Sequence, residues 1–165
     1  RAMRVVTFKS AKYSMEAPLL LGASLADATD HQLRQLATFG LPLGVAFQLR
    51  DDMLGVFGDP EETGKPAGDD LREGKRTVLV ALAEASLSPG VRGVFNDMLG
   101  NPEVTEDQIQ VMQQTLRESG AVDRVETIIS ESVERALGSL DAADVDSNAK
   151  AELRRLADAV VSRAS

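Results

Sequence analysis

Cysteine and tryptophan are both absent from this sequence of 165 residues, and aromatic residues make up only 4% of it. Without cysteine the chain can form neither a disulfide framework nor a thiolate metal site. A core with so few aromatic rings must be aliphatic, built from Leu, Val, Ala and Met. That composition favours helices packed on helices, so we predict an all-α fold, a helical bundle.

Basic residues and long apolar runs are also scarce. The chain has 18 Lys and Arg against 26 Asp and Glu, a net charge of -8. This balance disfavours nucleic acid as a partner, because no basic patch outweighs the acidic field. No apolar run approaches the roughly 18 residues of a membrane span, and no signal peptide is visible. We therefore expect a cytoplasmic protein that neither spans a membrane nor binds nucleic acid.

The sequence opens abruptly with RAMRVVTFKSAKYS, which has no initiator Met and no helix-capping signal. We expect that further sequence precedes Arg1. The length is nevertheless sufficient for a hydrophobic core. We predict one partial domain over residues 1–165.

Apolar residues recur with helical periodicity along the chain. We predict helices over 9–28, 31–57, 75–85, 89–99, 106–119, 121–140 and from 147 to near Ala164. Asp30 is the predicted N-cap of the second helix, and Asp146 or Ser147 that of the last. Thr105 opens a capping-box pattern. Residues 59–74, rich in Gly and Pro, are predicted to form a loop whose length is typical of a functional segment.

Acidic residues stand at an unfavourable position in the segment FQLRDDMLGVFGDPEETGKPAGDDLREGKRT, residues 47–77. Asp51 and Asp52 fall in the last turns of a predicted helix, where the helix dipole disfavours carboxylates by several tenths of a kcal/mol. A bound cation would offset this cost, although Arg50 or solvent could also do so. Gln48 shares their side of the helix.

Basic residues follow these aspartates at short range. Lys65 lies between Gly64 and Pro66, which restrict the loop around it, and Lys75 comes soon after. Each residue alone fits a solvated, charged loop. Together, carboxylates that hold divalent cations and lysines that neutralise phosphate oxygens indicate a site for a metal-bridged polyphosphate.

The same segment resembles the second aspartate-rich region of the trans-type isoprenyl diphosphate synthases, the polyprenyl synthetase family. The family pattern is Gln-x-x-Asp-Asp-x-x-Asp, then Gly-Lys-x-x-Gly-x-Asp-Leu, then Gly-Lys-x-Thr; this chain has QLRDDMLG, GKPAGDDL and GKRT. Upstream, FKSAKYS is similar to the family's Lys-Thr-Ala segment. The motifs occur in the family's order, so the chain resembles the C-terminal half of the isoprenoid synthase fold.

The resemblance implies a prenyltransferase that condenses isopentenyl diphosphate with an allylic diphosphate by magnesium-assisted ionisation. It assigns Mg²⁺ to Asp51, with Asp52 supporting a metal-bound water. It implies diphosphate contacts from Lys9, Ser10, Gln48, Lys65 and Lys75, and catalytic roles for Lys9, Gln48 and Asp51. The full-length family member is implied to be a homodimer. Tyr13 either lines the cavity or packs in the core, and Phe47 packs beneath the site.

The sequence departs from the family pattern at several points. Gly55 replaces the third aspartate of the motif, Ser10 replaces a threonine, and the family's first aspartate-rich motif is not in this sequence. We therefore predict that the chain alone is inactive. Two alternatives remain: a non-catalytic regulatory or structural subunit that retains the fold, and a terpene cyclase. The low aromatic content disfavours the cyclase, whose cavity commonly needs aromatic rings to stabilise cations.

Overall fold

The computed structural model describes residues 1–64 and 66–162, and every regular element in these ranges is helical. The prediction of an all-α fold is confirmed. The elements are α1 (Ala2–Val5), a π-helix (Val6–Glu16), α2 (Ala17–Leu25), α3 (Asp30–Phe57), α4 (Pro60–Thr63), α5 (Asp69–Arg72), α6 (Val78–Ser86), α7 (Pro89–Met98), α8 (Glu106–Glu118), α9 (Ala121–Ala142) and α10 (Ser147–Ser162).

The chain divides into two compact units. The first unit contains Met3–Arg50 and the chain from Ile128 onward, and the second contains Asp51–Thr127. Fully buried aliphatic and aromatic side chains form a core in each unit. In the first they include Phe39, Leu43, Leu49, Ile129 and Leu140; in the second, Val56, Leu71, Leu79, Phe95, Ile109, Met112 and Leu116. The single partial domain over residues 1–165 stays a prediction.

A π-helix occupies the region where the sequence indicated an ordinary helix from Lys9. In a π-helix each N–H bonds the carbonyl five residues earlier, and such helices are rare and frequent at functional sites. The N–H of Ala17 continues this pattern by bonding the carbonyl of Lys12. Helical structure therefore begins earlier than predicted, at Ala2, and α2 ends at Leu25.

The start of α3 corrects one prediction. Asp30 is the first residue of the helix, and Thr29 caps it. The Thr29 hydroxyl accepts from the N–H of Gln32 at 3.3 Å, while the Gln32 side chain accepts from the N–H of Thr29 at 2.9 Å. The predicted Asp30 cap is wrong because Thr29 and Gln32 form a reciprocal capping box one residue earlier.

Two other caps follow the sequence. Thr105 and Gln108 form the predicted capping box of α8. Asp146 caps α10, since its carboxylate accepts from the N–H of Asn148 at 2.8 Å. The predicted end of this helix near Ala164 lies outside the described residues. Within the described part of the chain, no helix has both the length and the hydropathy needed to cross a membrane.

The predicted loop over 59–74 contains two single-turn helices, α4 and α5. The helix predicted from Lys75 begins at Val78 instead, because Thr77 is its N-cap and accepts from the N–H of Val80 at 3.3 Å. Lys75 consequently lies in the connection between α5 and α6 and not within a helix.

Candidate functional site

The predicted metal ligands lie near the C-terminal end of α3. Asp51 is exposed, Asp52 is buried, and Gln48 is half-buried one turn before them. Residues three and four apart share a side of a helix, so α3 brings these three polar groups to one side. An exposed carboxylate beside a buried one offers oxygen to a ligand from solvent while its neighbour is held by the protein.

A tight turn after α5 determines where Lys75 lies. Gly74 adopts the left-handed conformation with φ of 70°. The N–H of Gly74 bonds the carbonyl of Leu71 at 3.2 Å, and the N–H of Lys75 bonds that of Asp70 at 2.9 Å. This pair of bonds is a Schellman motif, which ends α5 and turns the chain back on itself. The turn thereby places Lys75 next to Asp70.

The ammonium of Lys75 forms two ion pairs. Its Nζ lies 2.6 Å from Oδ1 of Asp70 and 2.8 Å from Oε2 of Glu73. Hydrogen bonds to Asp70 and then to Glu73 raise the pKa of Lys75 well above its usual value, outweighing the opposing effect of burial. Lys75 is therefore cationic throughout the physiological pH range, and its partly exposed side chain can meet an anion from solvent.

Side chains of α8 hold the end of α3 and the loop that follows. Gln113 donates from Nε2 to the carbonyl of Val56 at 2.6 Å, which satisfies one of the carbonyls left open at a helix end. The guanidinium of Arg117 lies 4.4 Å from the centre of the Phe57 ring, a cation–π distance. Neither Gln113 nor Arg117 is among the site residues predicted from the sequence. Their i, i+4 spacing on α8 was the available signal.

Gly68 brings the loop against the same helix. It has φ of 76°, and a side chain there would overlap the Cγ2 atom of Ile109. Since Ile109, Gln113 and Arg117 recur every four residues, one face of α8 supports both the end of α3 and the start of α5. The end of α3 and the loop that leads into α5 are thus both in contact with the same helix, α8.

Lys9 and Ser10 belong to the first unit, on the π-helix. Lys9 is exposed and Ser10 is half-buried. The next residue, Ala11, is fully buried, and a Cβ on Gly44 would lie 2.7 Å from its Cα atom. Glycine at 44 therefore permits the π-helix to contact the backbone of α3. Lys9 and Ser10 lie directly before this close contact.

The remaining predicted residues have mixed outcomes. Tyr13 is 77% exposed, so the alternative that it packs in the core is wrong. Phe47 is half-buried. Lys65 lies outside the described residues.

The donor chemistry of the second unit is compatible with magnesium. Among the described residues no cluster of three or more His, Cys, Asp or Glu side chains is arranged to hold a metal. Magnesium, however, is commonly held by one or two carboxylates together with substrate phosphates. Asp51 and Asp52 supply hard oxygen donors of that kind. The residues present therefore fit a magnesium ion that is also bound by a diphosphate.

Comparison with known proteins identifies the class. A family model described as polyprenyl synthetase matches residues 1–116. The chain belongs to this family, as its motifs indicated.

Individual relatives agree. The chain is 38% identical over 150 residues to geranylfarnesyl diphosphate synthase of Aeropyrum pernix, covering 90% of this chain and 46% of the relative. It superposes with a TM-score of 0.93 and 44% identity on geranylgeranyl pyrophosphate synthase from Corynebacterium glutamicum, solved with isoprenyl diphosphate and magnesium; 98% of this chain and 46% of that one are covered.

A polyprenyl synthase from Caulobacter crescentus, solved with calcium and isoprenyl diphosphate, matches with a TM-score of 0.85 and 31% identity, covering 99% of this chain and 49% of that one. The chain therefore spans about half the length of these relatives.

Proposed function

We propose that this chain forms the leaving-group side of a prenyltransferase that joins isopentenyl diphosphate to an allylic diphosphate. The observation that carries the proposal is the assembly within the second unit: two adjacent carboxylates at the end of α3, and a lysine kept cationic after α5. Membership of a family whose relatives are prenyl diphosphate synthases supports it. So does the solution of one relative with isoprenyl diphosphate and magnesium.

The residues act by binding and neutralising charge. Magnesium, when bound at Asp51 with Asp52 beside it, would stabilise the negative charge that develops on the departing diphosphate. Lys9, Ser10, Lys65 and Lys75 would contact diphosphate oxygens, with Gln48 near the leaving group. Lys75 offers no lone pair that would trap an allylic cation, because its two ion pairs keep the ammonium protonated. Isopentenyl diphosphate would then attack the cation, and a proton would be lost.

The finer assignments are proposals of the same kind. The family resemblance supports a homodimer for the full-length protein, and the acidic composition together with the absence of cysteine supports a cytoplasmic location.

Activity should require the family's first aspartate-rich motif. We expect residues 1–165 alone to form no prenyl product from isopentenyl and allylic diphosphates with magnesium, because the first aspartate-rich motif is missing. Protein expressed from the whole coding sequence should form product. Radiolabelled isopentenyl diphosphate and product extraction measure both.

A matched pair of variants tests the metal assignment in the whole protein. Asp51→Asn should lower kcat by roughly 100-fold, since a carboxylate ligand of magnesium is lost. Asp123→Asn removes an exposed carboxylate of α9 and should leave kcat unchanged. Robust turnover by residues 1–165 alone, or equal activity of the two variants, would contradict the proposal.

A second candidate is a non-catalytic subunit that retains the fold, and Gly55 at the third motif aspartate favours it. That candidate predicts no product from the whole protein and an effect only on a partner synthase. A cyclic product from an allylic diphosphate alone would indicate a terpene cyclase instead.

A further inference from the structure

Gly55 occupies the position of the third motif aspartate, and the space beside its Cα atom is filled. A Cβ built on Gly55 would overlap the carboxyl carbon of Asp70 and would lie 2.8 Å from Oδ1 of that residue. Non-bonded atoms do not pack this closely. A chain with a side chain at position 55 must therefore place the carboxylate of residue 70 elsewhere.

Asp70 is only 7% exposed at this position. A buried carboxylate is costly unless a cation and hydrogen bonds compensate it. Lys75 supplies the cation through the 2.6 Å contact between Nζ and Oδ1. Gly55 lies one turn after Asp51 on α3, so the Asp70–Lys75 pair stands beside the side of α3 that carries the proposed metal ligand.

The ammonium retains capacity for a further ligand. A lysine ammonium has three N–H donors. Asp70 and Glu73 accept from the group at 2.6 and 2.8 Å, and the side chain remains 42% exposed. One donor is therefore left for an anion that arrives from solvent.

We infer that Asp70, admitted by Gly55, is a positioning residue that holds the Lys75 ammonium with one N–H available to a diphosphate. This inference rests on the proposed function, which assigns diphosphate to Lys75. Lysine has a flexible four-carbon stem, and orienting it in advance removes part of the entropic cost of binding. The Asp70–Lys75 pair then requires glycine at position 55, so the replacement of the third motif aspartate does more than remove a carboxylate.

Two variants distinguish the effect of moving the Asp70 carboxylate from the effect of removing its charge. Gly55→Ala changes no charge but displaces the Asp70 carboxylate; Asp70→Asn keeps the shape but removes the charge that holds Lys75. Both should weaken the binding of inorganic diphosphate with magnesium by about tenfold, the value of one charge-assisted contact. Isothermal titration calorimetry on the chain measures this. The double variant should bind no more weakly than the weaker single variant, because both act through one group.

A second readout follows the ion pair without any ligand. The ¹⁵N-ammonium resonance of Lys75, recorded by NMR, should show the slow hydrogen exchange of a group held by two carboxylates. Both variants should accelerate this exchange, since only the contact with Glu73 remains. Gly93→Ala is the matched control, since a Cβ at that exposed position in α7 meets nothing within 4 Å. It should change neither the resonance nor the affinity. Circular dichroism establishes that each variant is folded, and Asp70→Asn provides the test if Gly55→Ala does not fold.

The outcomes separate the inference from the proposed function. Hydrogen exchange as slow in Gly55→Ala as in the wild type, or diphosphate affinity that is unchanged or increased in the two variants, would overturn the positioning role. A wild-type chain that shows the paired resonance but binds no diphosphate would overturn the ligand assignment of the proposed function, and the positioning role with it, while leaving the pairing itself established.

Discussion

At the scale of single residues, glycines carry information that is hard to read from the sequence. The motif spacing identified Asp51, Asp52 and Lys75, and the structure places them in one unit. The motif spacing did not identify the role of Asp70, because no sequence rule links a carboxylate to a glycine fifteen residues earlier. The contact depends on the packing of α3 against the start of α5, which periodicity cannot specify.

Gly44 offers a direct test of such close packing. Gly44→Ala places a Cβ 2.7 Å from the Cα atom of Ala11. We expect a loss of about 1–3 kcal/mol in the free energy of unfolding, since the atom it meets is backbone and cannot move alone. Urea denaturation measures the change.

Gly138→Ala is the control for this substitution. Gly138 is also helical and in the first unit, but a Cβ there meets nothing within 4 Å. The better helix propensity of alanine should stabilise this variant by up to about 1 kcal/mol. Equal effects of the two substitutions would contradict the close contact between the π-helix and α3.

At the scale of elements, local chemistry predicted most helix types and some of their ends. The capping box of α8 was predicted because Thr105 and Gln108 have the required spacing. The box at Thr29 was missed because Asp30, itself a good capping residue, stands next to it. The π-helix was missed since it arises from how this segment packs and has no distinctive residue pattern.

The cap of α8 should contribute measurably to stability. Thr105→Ala removes the acceptor for the N–H of Gln108 and should cost about 1 kcal/mol. Thermal denaturation followed by circular dichroism checks this. Thr115→Ala, in the same helix, removes a hydroxyl that bonds only the carbonyl of Val111. It should cause no loss, and a comparable loss there would argue against the cap as the cause.

At the scale of the whole molecule, composition predicted the helical class and the family pattern predicted the kind of protein. What they did not specify is how much apolar surface the chain leaves open. Exposed side chains in its first 25 residues include Val5, Phe8, Tyr13, Leu21 and Leu25. This is more than single scattered apolar residues and is typical of a surface that another segment covers.

We expect residues 1–165 alone to self-associate through this surface. Sedimentation velocity over a range of concentrations should show species larger than the monomer. The double variant Leu21→Glu and Leu25→Glu should shift the distribution towards the monomer, because burying carboxylates in an apolar contact is costly. Val111→Glu, at an exposed position on α8, is the control and should have a smaller effect. A strictly monomeric wild-type chain would contradict this expectation.

The turn at Gly74 also has a consequence for how the second unit assembles. A Cβ on Gly74 would lie 2.9 Å from the Cα atom of Gly100, and the N–H of Gly100 bonds the carbonyl of Leu71 at 2.9 Å. These backbones meet only after α6 and α7 have folded back between them, so the contact closes a long loop and carries its entropic cost. We therefore expect the contact between Gly74 and Gly100 to form late in the folding reaction, after the local hydrogen bonds of the turn that positions Lys75.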